Sequence, residues 1–508
     1  MKNNSMKDNK EKKNLVWRII GVVLMILQLL ASFILVRSLL NIGIVANWII
    51  VLVIVVLLIL FIVNLIVLVI KNNSSVISKV VCIILSVGCI VGICFTLRFT
   101  DAFNGFLNKI TEQKPEMKAY SAIVMNDSEI NELAQLEQKY VGFLKIDNMV
   151  VEAEKRLQNI VGVNIELYDD VSTMADVLSK NIVNAIILET DRLEMVKEES
   201  DMLDNTRVIG TFEIELVGEG VGISEKKLTE EPFIIYISGS DSRDGIKATA
   251  RTDVNIVTVV NPKQNKILLL SIPRDTYVQL RGTTGLRDKL SHSGLYGINM
   301  SKATIEDFLG IEIDHTLKVS FETVVEVVDE LDGIDIYSDK VMHLRATKDN
   351  KKHCDYIIGT QHVDGDCALR FARERKSYNR GDRRRGENQQ QVLTSIINKL
   401  SGSRDYLLKL PSILEIAADS FETSLSRDDI TDFIQMQLDN SIKWEIESIG
   451  LDGDGLMEPT YSIGANEPLY VMVPFEESMQ NAKNKINEYL NGETKSENGS
   501  EDNNAGEN

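Results

Sequence analysis

Three long apolar runs near the amino terminus constrain this chain more than any other feature. They cover Leu15–Leu40, Ile44–Ile70 and Val76–Leu97. A helix of roughly 20 residues crosses the ~30 Å hydrocarbon layer, so each run is long enough to span a membrane. The first run is too long for the apolar segment of a signal peptide, and no small-residue cleavage site follows it. We therefore predict three transmembrane helices within about the first 100 residues.

Basic residues predict how these helices are oriented. Lysine and arginine are concentrated before and at the start of the first run, and between the second run and the start of the third. These residues are Lys2, Lys7, Lys10, Lys12, Lys13, Arg18, Lys71 and Lys79. Loops rich in such residues stay on the cytoplasmic side. We therefore predict a multi-pass cell-membrane protein whose amino terminus is cytoplasmic and whose domains after about residue 100 are extracellular.

The remaining chain divides into a linker, two domains and a tail. Residues 101–118 are predicted to form the linker, 119–228 a small accessory α/β domain, and 229–480 a larger domain. The larger domain is expected to be α/β, with a mixed central sheet flanked by helices. From Asn491 onward, the chain is rich in Asn, Glu, Gly and Ser, and it contains only one apolar residue, an alanine. This composition predicts a disordered tail.

Hydrophobic periodicity predicts the main elements of both domains. The predicted strands are Tyr120–Met125, Ala185–Glu189, Phe233–Ile237, Val254–Val260, Ile267–Ile272 and Ile334–Tyr337. The predicted helices are Asp127–Tyr140, Met174–Asn181, Ser301–Leu309 with a serine cap, Phe321–Leu331, and a long helix capped by Asp382 with Val392, Leu393, Ile396, Ile397 and Leu400 buried. The turn residues 261–266 favour an antiparallel hairpin between the Val254 and Ile267 strands.

Two cysteines lie in the predicted extracellular part. Cys354 and Cys367 are 13 residues apart, a spacing that permits a disulfide but leaves two free thiols as the alternative. His353 and His362 are not accompanied by a Cys-x-x-Cys pattern, so the spacing predicts no metal site there.

A dense cluster of basic residues lies between Arg370 and Arg385. Its members are Arg370, Arg373, Arg375, Lys376, Arg380, Arg383, Arg384 and Arg385. Only Glu374 and Asp382 oppose them, so the window carries net charge +6 in a chain of net charge −19. Guanidinium groups bind phosphate oxygens bidentately, and the cluster therefore predicts a polyanion site, with a solvated basic surface as the alternative. The predicted extracellular location excludes nucleic acid as the partner.

Two further groups of polar residues follow predicted strands. Asp241, Arg243, Arg251 and Asp253 surround a glycine- and serine-rich loop, where two carboxylates at neighbouring strand ends can hold Mg²⁺ or act as ordinary turn residues. Arg274 follows a buried strand and a proline, a placement that suits a phosphate ligand. Lys289 and His292 come soon after, and we interpret the lone histidine as structural. The helix after Asp382 directs its positive end toward the arginine cluster.

At these residues the sequence resembles the LytR-CpsA-Psr (LCP) family. The motifs that carry the resemblance are Gly239 to Arg243, Arg251 to Asp253, Ser271 to Thr276, Asp288 to His292, Gly365 to Arg375 and Gly381 to Gln391. The three spans and the accessory domain further resemble the capsule-associated CpsA branch. Gly386 and Asn388 depart from the residues, Gln and Arg, that other branches often have there.

The resemblance implies an enzyme that moves a glycopolymer, such as capsular polysaccharide, from a polyprenyl diphosphate carrier to peptidoglycan. The expected acceptor is usually the 6-hydroxyl of N-acetylmuramic acid. Carried over by position, Asp241, Asp253 and Arg274 are catalytic, and the two aspartates also bind Mg²⁺, with Mn²⁺ as an alternative. The implied substrate-binding residues are Arg243, Arg251, Lys289, Arg373, Arg375, Asp382, Arg385 and Gln389.

The expected partners are the membrane, the lipid-linked polymer, peptidoglycan and proteins of the capsule machinery. Two alternative functions stay open: hydrolysis of the polyprenyl diphosphate, and non-catalytic regulation of capsule synthesis through binding of the lipid diphosphate.

Overall fold

The computed structural model describes residues 2–42, 47–70, 75–111, 116–216, 226–240, 249–346, 352–378, 381–402, 421–440 and 442–492. The chain forms two compact units. The first contains Met1–Glu112, Ser403–Asp419 and Ser426–Ile442, and the second contains the rest. The predicted disordered tail falls almost entirely on 493–508, outside the described residues.

The first unit is built on three long helices. They are α1 (Lys2–Ile42), α2 (Asn47–Asn64, continued as a π-helical turn over Leu65–Ile70) and α3 (Val76–Thr111). Stretches of these helices over Leu15–Leu40, Trp48–Ile70 and Val76–Thr111 are long and apolar enough to cross a membrane, so three candidate spans are present where the sequence predicted them.

The helix α3 extends well beyond its predicted end. Phe103, Leu107 and Ile110 are buried at helical spacing, so an apolar stripe continues the helix to Thr111. The first strand then begins at Glu116. The segment predicted as a linker, 101–118, is therefore helical over its first eleven residues, because helical periodicity persists after the hydropathy of the span has fallen.

A polar contact lies inside the three-helix unit. The Asn64 amide donates hydrogen bonds to Gln28 Oε1 (3.0 Å) and Ser86 Oγ (2.7 Å), and all three side chains are buried. The helix Arg427–Asn440 also belongs to this unit, where Arg427 donates hydrogen bonds to Asn104 and Asn108 on α3.

The second unit opens with a five-stranded sheet in the order β3-β2-β4-β1-β5. Its strands are β1 (Glu116–Met125), β2 (Tyr140–Leu144), β3 (Asn164–Tyr168), β4 (Ala185–Glu189) and β5 (Thr206–Leu216). Its helices are α4 (Val150–Ile160), α5 (Val171–Ser179) and α6 (Thr190–Glu199). Strand β2 runs parallel to β3 and β4, whereas β1 runs antiparallel to β4 and β5.

The helix predicted over Asp127–Tyr140 is wrong. Only Leu133–Leu136 forms a single 3₁₀ turn, and Tyr140 already begins β2. Gln138 adopts a left-handed backbone (φ 59°), which breaks the helical path and turns the chain into the strand. Apolar residues in this segment therefore occur at helical spacing although the backbone is not an α-helix.

A six-stranded mixed sheet in the order β16-β11-β6-β7-β8-β17 forms the centre of the larger domain. Its strands are β6 (Phe233–Ser240), β7 (Val254–Asn261), β8 (Lys266–Ser271), β11 (His315–Ser320), β16 (Phe421–Thr423) and β17 (Glu445–Gly450). The predicted β7–β8 antiparallel hairpin is confirmed. Strands β11 and β17 add parallel to β6 and β8, so the predicted α/β class with a mixed sheet is confirmed.

Helices and four small ribbons complete this domain. The helices are α7 (Ile298–Leu309), α8 (Phe321–Glu330), α9 (Gly365–Arg373), α10 (Asp382–Gly402) and α11 (Glu476–Asn491). The ribbons pair β9 (Tyr277–Val278) with β10 (Asp288–Lys289), β12 (Ile334–Ser338) with β15 (Gly359–Val363), β13 (Met342–Leu344) with β14 (Cys354–Tyr356), and β18 (Gly453–Thr460) with β19 (Gly464–Pro474). Cys354 and Cys367 form a disulfide, which resolves the alternative that the sequence left open.

Three details of the helices differ from what the sequence indicated. The helix α7 begins after Gly297, and Ser301 is buried inside it, bonded to Ser293. In α10 the buried residues are mainly polar ones in the first half, while Val392 is the one buried member of the predicted apolar stripe. Finally, α11 lies mostly beyond the predicted end of the domain and buries Ala482.

One hydrophobic core connects the accessory domain to the larger domain. It joins Met174 and Leu188 from the accessory domain with Tyr236 and Leu270 from the central sheet, and Ile486 from α11 completes it. Because the two domains share buried apolar contacts, the accessory domain fixes elements of the larger domain in place.

Candidate active site

The β7–β8 hairpin brings the first two candidate residues together. Ile256 pairs with Ser271, and the Ile272 amide donates to the Asn255 carbonyl (2.9 Å). Continuing this register places Asp253 opposite Arg274, and Arg274 Nη1 donates to Asp253 Oδ1 at 2.8 Å. The sequence therefore builds this ion pair through strand pairing, at the end of the sheet where β6 also terminates.

Backbone hydrogen bonds of Ser291 join three of the predicted motifs. The Ser291 amide donates to the Arg274 carbonyl (2.9 Å), and the Ser291 carbonyl accepts from the Thr252 amide (3.0 Å). The Asp253 amide in turn donates to the Gly239 carbonyl (2.9 Å). Residues from β6, the start of β7, the end of β8 and the β10 region thus meet at one edge of the sheet.

Lys289 enters this region as a buried cation. Its ammonium lies 2.7 Å from a carboxylate oxygen of Glu199 and 3.3 Å from one of Asp275. Burial acts to raise the pKa of Glu199, but His292 and Lys289 outweigh it and hold that pKa far below its ordinary value. Glu199 is therefore ionised and fixes Lys289 in position.

Arg251 also pairs with the end of α6. Its guanidinium lies 2.5 Å from Glu198 and 3.7 Å from Glu199. The sequence analysis missed both glutamates, because two adjacent acidic residues at the end of a polar helix look like a solvated surface. Their role arises only when α6 packs beside Arg251.

The first turn of α10 supplies Asp382 and Arg385, whose charged groups approach to 2.7 Å. Asp382, predicted as the cap of this helix, is instead its first helical residue. Gln389 is buried one turn beyond Arg385. The neighbouring Gln390 amide donates to the carbonyls of Leu269 and Ile449 (both 2.7 Å), which anchors α10 on β8 and β17.

The two positions that depart from the family pattern have structural roles. A Cβ atom at Gly386 would lie 2.4 Å from Ser271 Oγ, so glycine allows α10 to approach the end of β8 closely. The Asn388 amide donates to the Phe371 carbonyl (3.0 Å), which ties α10 to the last turn of α9. Arg373 ends α9 and Arg375 follows two residues later, both with exposed side chains.

Asp241 and Arg243 fall outside the described residues, so their predicted roles remain predictions. The last described residue before them is Ser240, which ends β6. Among the described candidates, Arg251, Asp253, Arg274 and Lys289 share one ionic cluster, and the charges of Asp382 and Arg385 act on Asp253 and Arg274.

The carboxyl groups of this cluster are not equivalent. Burial acts to raise the pKa of Asp253, but the guanidinium groups around it, Arg274 first, lower that pKa below its ordinary value. Burial raises the pKa of Asp382 above its ordinary value, against the lowering effect of Arg385. The site therefore contains one strongly ionised carboxylate and one carboxyl that holds a proton more readily.

His292 is fully buried beside two carboxylates. Its Nδ1 lies 2.6 Å from Asp288 Oδ1, and its Nε2 lies 3.6 Å from Glu199. Burial acts to lower the pKa of His292, but Asp288 and Glu199 together raise it above its ordinary value. This position inside a salt-bridged core is consistent with the structural interpretation made from sequence.

Oxygen ligands for a hard cation are present at the site. The carboxylates of Asp253, Asp275 and Asp382 interact with the same guanidinium, that of Arg274. One of their oxygens, Asp382 Oδ1, also lies 2.7 Å from the Arg385 guanidinium. A set of carboxylate oxygens is what Mg²⁺ prefers, so the residues fit a divalent cation of this kind.

The fold and the site together define a class: an α/β protein with three candidate membrane spans and an arginine-rich ionic site at the end of a mixed sheet. The family model described as the LytR_cpsA_psr family matches residues 189–487. This match covers more than half of the chain, and the chain belongs to that family. The match begins at Glu189, the last residue of β4, so it includes Glu198 and Glu199 at the end of α6.

Curated relatives carry the name polyisoprenyl-teichoic acid–peptidoglycan teichoic acid transferase TagU. The Bacillus anthracis relative is 33% identical over 269 residues, which are 53% of this chain and 82% of that protein. The Halalkalibacterium halodurans relative is 32% identical over 249 residues, 49% of this chain and 76% of that protein. The crystal structure of B. subtilis TagV, 29% identical, covers 51% of this chain and 98% of its own, with a TM-score of 0.43.

Proposed function

We propose that this chain transfers a glycopolymer from a polyprenyl diphosphate carrier to peptidoglycan, forming a phosphodiester bond. The observation that carries the proposal is the ionic cluster in which Arg274 pairs with Asp253 beside Arg251, Lys289 and Arg385. Diphosphate displacement relies mainly on positioning and on cationic stabilisation of phosphoryl oxygens, which such a cluster provides. The names of the relatives support the same reaction class.

The carboxylates hold the cations ready for the substrate. Arg251, Lys289 and Arg274 each lie against a carboxylate, so their side chains are oriented before an anion arrives. In the reaction, the acceptor hydroxyl oxygen bonds to the phosphorus that carries the polymer, and the bond from that phosphorus to the bridging oxygen breaks. Polyprenyl phosphate leaves, and the cations stabilise the charge that develops on it.

The proton of the acceptor hydroxyl needs a base. A base works best when its pKa lies near the operating pH, so the raised pKa of Asp382 suits this role better than the lowered pKa of Asp253. We assign proton acceptance to Asp382 and orientation of Arg274 to Asp253.

We further propose that Asp253, with Asp241, holds Mg²⁺, and that Mn²⁺ can replace it. Leaving aside Glu198, which is 61% exposed, four cations (Arg251, Arg274, Lys289 and Arg385) face four carboxylates (Glu199, Asp253, Asp275 and Asp382) in the cluster. When all are ionised, these charges cancel, so an incoming diphosphate meets no net positive charge from them. A bound divalent cation supplies that charge and shields the substrate from the carboxylates.

The test is transfer by the full-length protein reconstituted in liposomes with a polyprenyl diphosphate-linked polymer and peptidoglycan. Arg274→Ala should lower the attachment rate about 10²- to 10³-fold, the range for loss of one charge-stabilising group. The matched control is Arg281→Ala, which removes an exposed arginine paired with Asp307 and should leave the rate unchanged. Unchanged attachment in Arg274→Ala would refute the proposal, and release of lipid phosphate without attached polymer would favour the hydrolase alternative.

Orientation and polymer class complete the proposal. We infer that the amino terminus is cytoplasmic, so the second unit faces outward; a reporter fused after Lys118 that reads as cytoplasmic would overturn this.

The three spans and accessory domain favour capsular polysaccharide, whereas the relatives' names favour teichoic acid. Analysis of wall-attached polymer in a strain lacking the protein distinguishes the two. Co-purification of full-length protein with capsule-machinery proteins tests the expected protein partners.

A further inference from the structure

A cluster of two imidazoles and one carboxylate lies on the β13–β14 ribbon and has no part in the ionic site. His343 and Asp355 are cross-strand partners, with His343 Nδ1 2.6 Å from Asp355 Oδ1. His353, which precedes β14, places its Nε2 2.9 Å from the same oxygen. One ligand atom from each of the three residues lies within 4.8 Å of the others.

A comparison with His362 shows how the hydrogen bonding of His343 and His353 differs from that of an ordinary structural histidine. His362 makes an ordinary structural pair: its Nδ1 lies 2.8 Å from Asp335 and its Nε2 lies 2.7 Å from the Asp332 carbonyl. In the cluster, by contrast, two imidazoles converge on a single carboxylate oxygen. Two histidines and one carboxylate are a ligand set for Zn²⁺ and similar divalent transition metals, which accept imidazole nitrogen more readily than Mg²⁺ does.

The local geometry favours an ion with water in its remaining positions. All three side chains are half or more exposed, so an ion can enter and small rotations can bring each donor to about 2 Å from it. Cys354 lies between His353 and Asp355 in the sequence and forms a disulfide with Cys367, so neither cysteine offers a thiolate to the ion. The disulfide instead fixes the backbone that carries His353 and Asp355.

A crosslink between its two strands would add to the stability of this ribbon. It has only three residue pairs, and a two-stranded ribbon of this size is marginally stable alone. Arg370 on α9 donates to the Arg345 carbonyl (2.7 Å) and to the Lys352 carbonyl, and the disulfide also joins the ribbon to α9. The ribbon therefore braces the helix that ends at Arg373.

We propose that His343, His353 and Asp355 bind one divalent transition-metal ion of the Zn²⁺ class, which crosslinks β13 to β14 and stiffens the brace of α9. The site is distinct from the proposed Mg²⁺ site in both residues and ligand chemistry. Sequence spacing gave no sign of it, because strand pairing brings His343 next to a residue 12 positions away.

The test uses full-length protein without a polyhistidine tag, treated with a chelator and kept in excess Mg²⁺. Titration with Zn²⁺ by calorimetry, and with Co²⁺ by visible absorption, should reveal one saturable site per chain. His353→Ala should abolish this site and the Zn²⁺-dependent rise in melting temperature, whereas His362→Ala, the matched control, should retain both. His343→Ala should behave like His353→Ala. Absence of saturable binding in the wild type, or binding that survives His353→Ala, would overturn the proposal.

Discussion

Replacing Glu199 by glutamine should destabilise the second unit, because this residue neutralises buried cations. Glu199 is 12% exposed, and it contacts Lys289 (2.7 Å) while lying 3.6 Å from His292 and 3.7 Å from Arg251. The substitution keeps the size of the side chain but removes the negative charge that these cations share. Lys289 is itself only 6% exposed, so it would be left with one more distant partner, Asp275.

Removing one partner of a buried ion pair typically costs about 3–5 kcal/mol. Because Glu199 is partly exposed, we expect the free energy of unfolding to fall by the lower value, about 3 kcal/mol. The adjacent Glu198 provides the control, because it also pairs with Arg251 but is 61% exposed. Exposed pairs contribute about 0–1 kcal/mol, so Glu198→Gln should change little.

The measurement is thermal unfolding of both full-length variants in detergent, repeated for Glu199→Gln combined with Lys289→Met. The double variant should recover part of the loss, because it no longer buries an uncompensated charge. Equal melting temperatures for Glu198→Gln and Glu199→Gln would refute the reasoning. The charge of Glu199 should also make stability fall in acid: since its folded pKa is lowered, the contribution is complete above about pH 4.5, its ordinary pKa, and declines below it.

Three further predictions follow from buried polar groups. Asp382→Asn should abolish the acidic limb of the transfer rate, which in the wild type falls as the pH drops below the raised pKa of Asp382; a pH–rate profile with the same limb in both proteins would contradict this. Asn64→Leu should weaken the three-helix anchor by about 1–2 kcal/mol, seen as easier unfolding in detergent, because it removes the hydrogen bonds to Gln28 and Ser86. Lys118→Met should destabilise the accessory domain by about 3–5 kcal/mol in denaturant unfolding, because it leaves the buried carboxylate of Glu189 without one of its cations; a loss below about 1 kcal/mol would show that the pair is not effectively buried.

The fold was predictable where the pattern is local and long. Three apolar runs, the β7–β8 hairpin and the α/β class follow from hydropathy and periodicity, which need only neighbouring residues. The predictions that were wrong lie where a second influence overrides the local pattern. Gln138 breaks a helical spacing through its backbone, and Leu107 extends α3 because its side chain finds a buried surface.

The candidate site was predictable as residue types but not as an arrangement. The sequence alone determined that Arg251, Asp253 and Arg274 border strands and have side chains whose chemistry suits phosphate or a metal ion. Only the tertiary structure decided which charges meet: Lys289 pairs with Glu199, a residue 90 positions away on the preceding domain. An ion pair depends on distance and burial in space, and these depend on which surfaces pack together. Of the arginines that are clustered along the chain, Arg385 joins an ionic cluster whose carboxylates come largely from far earlier segments.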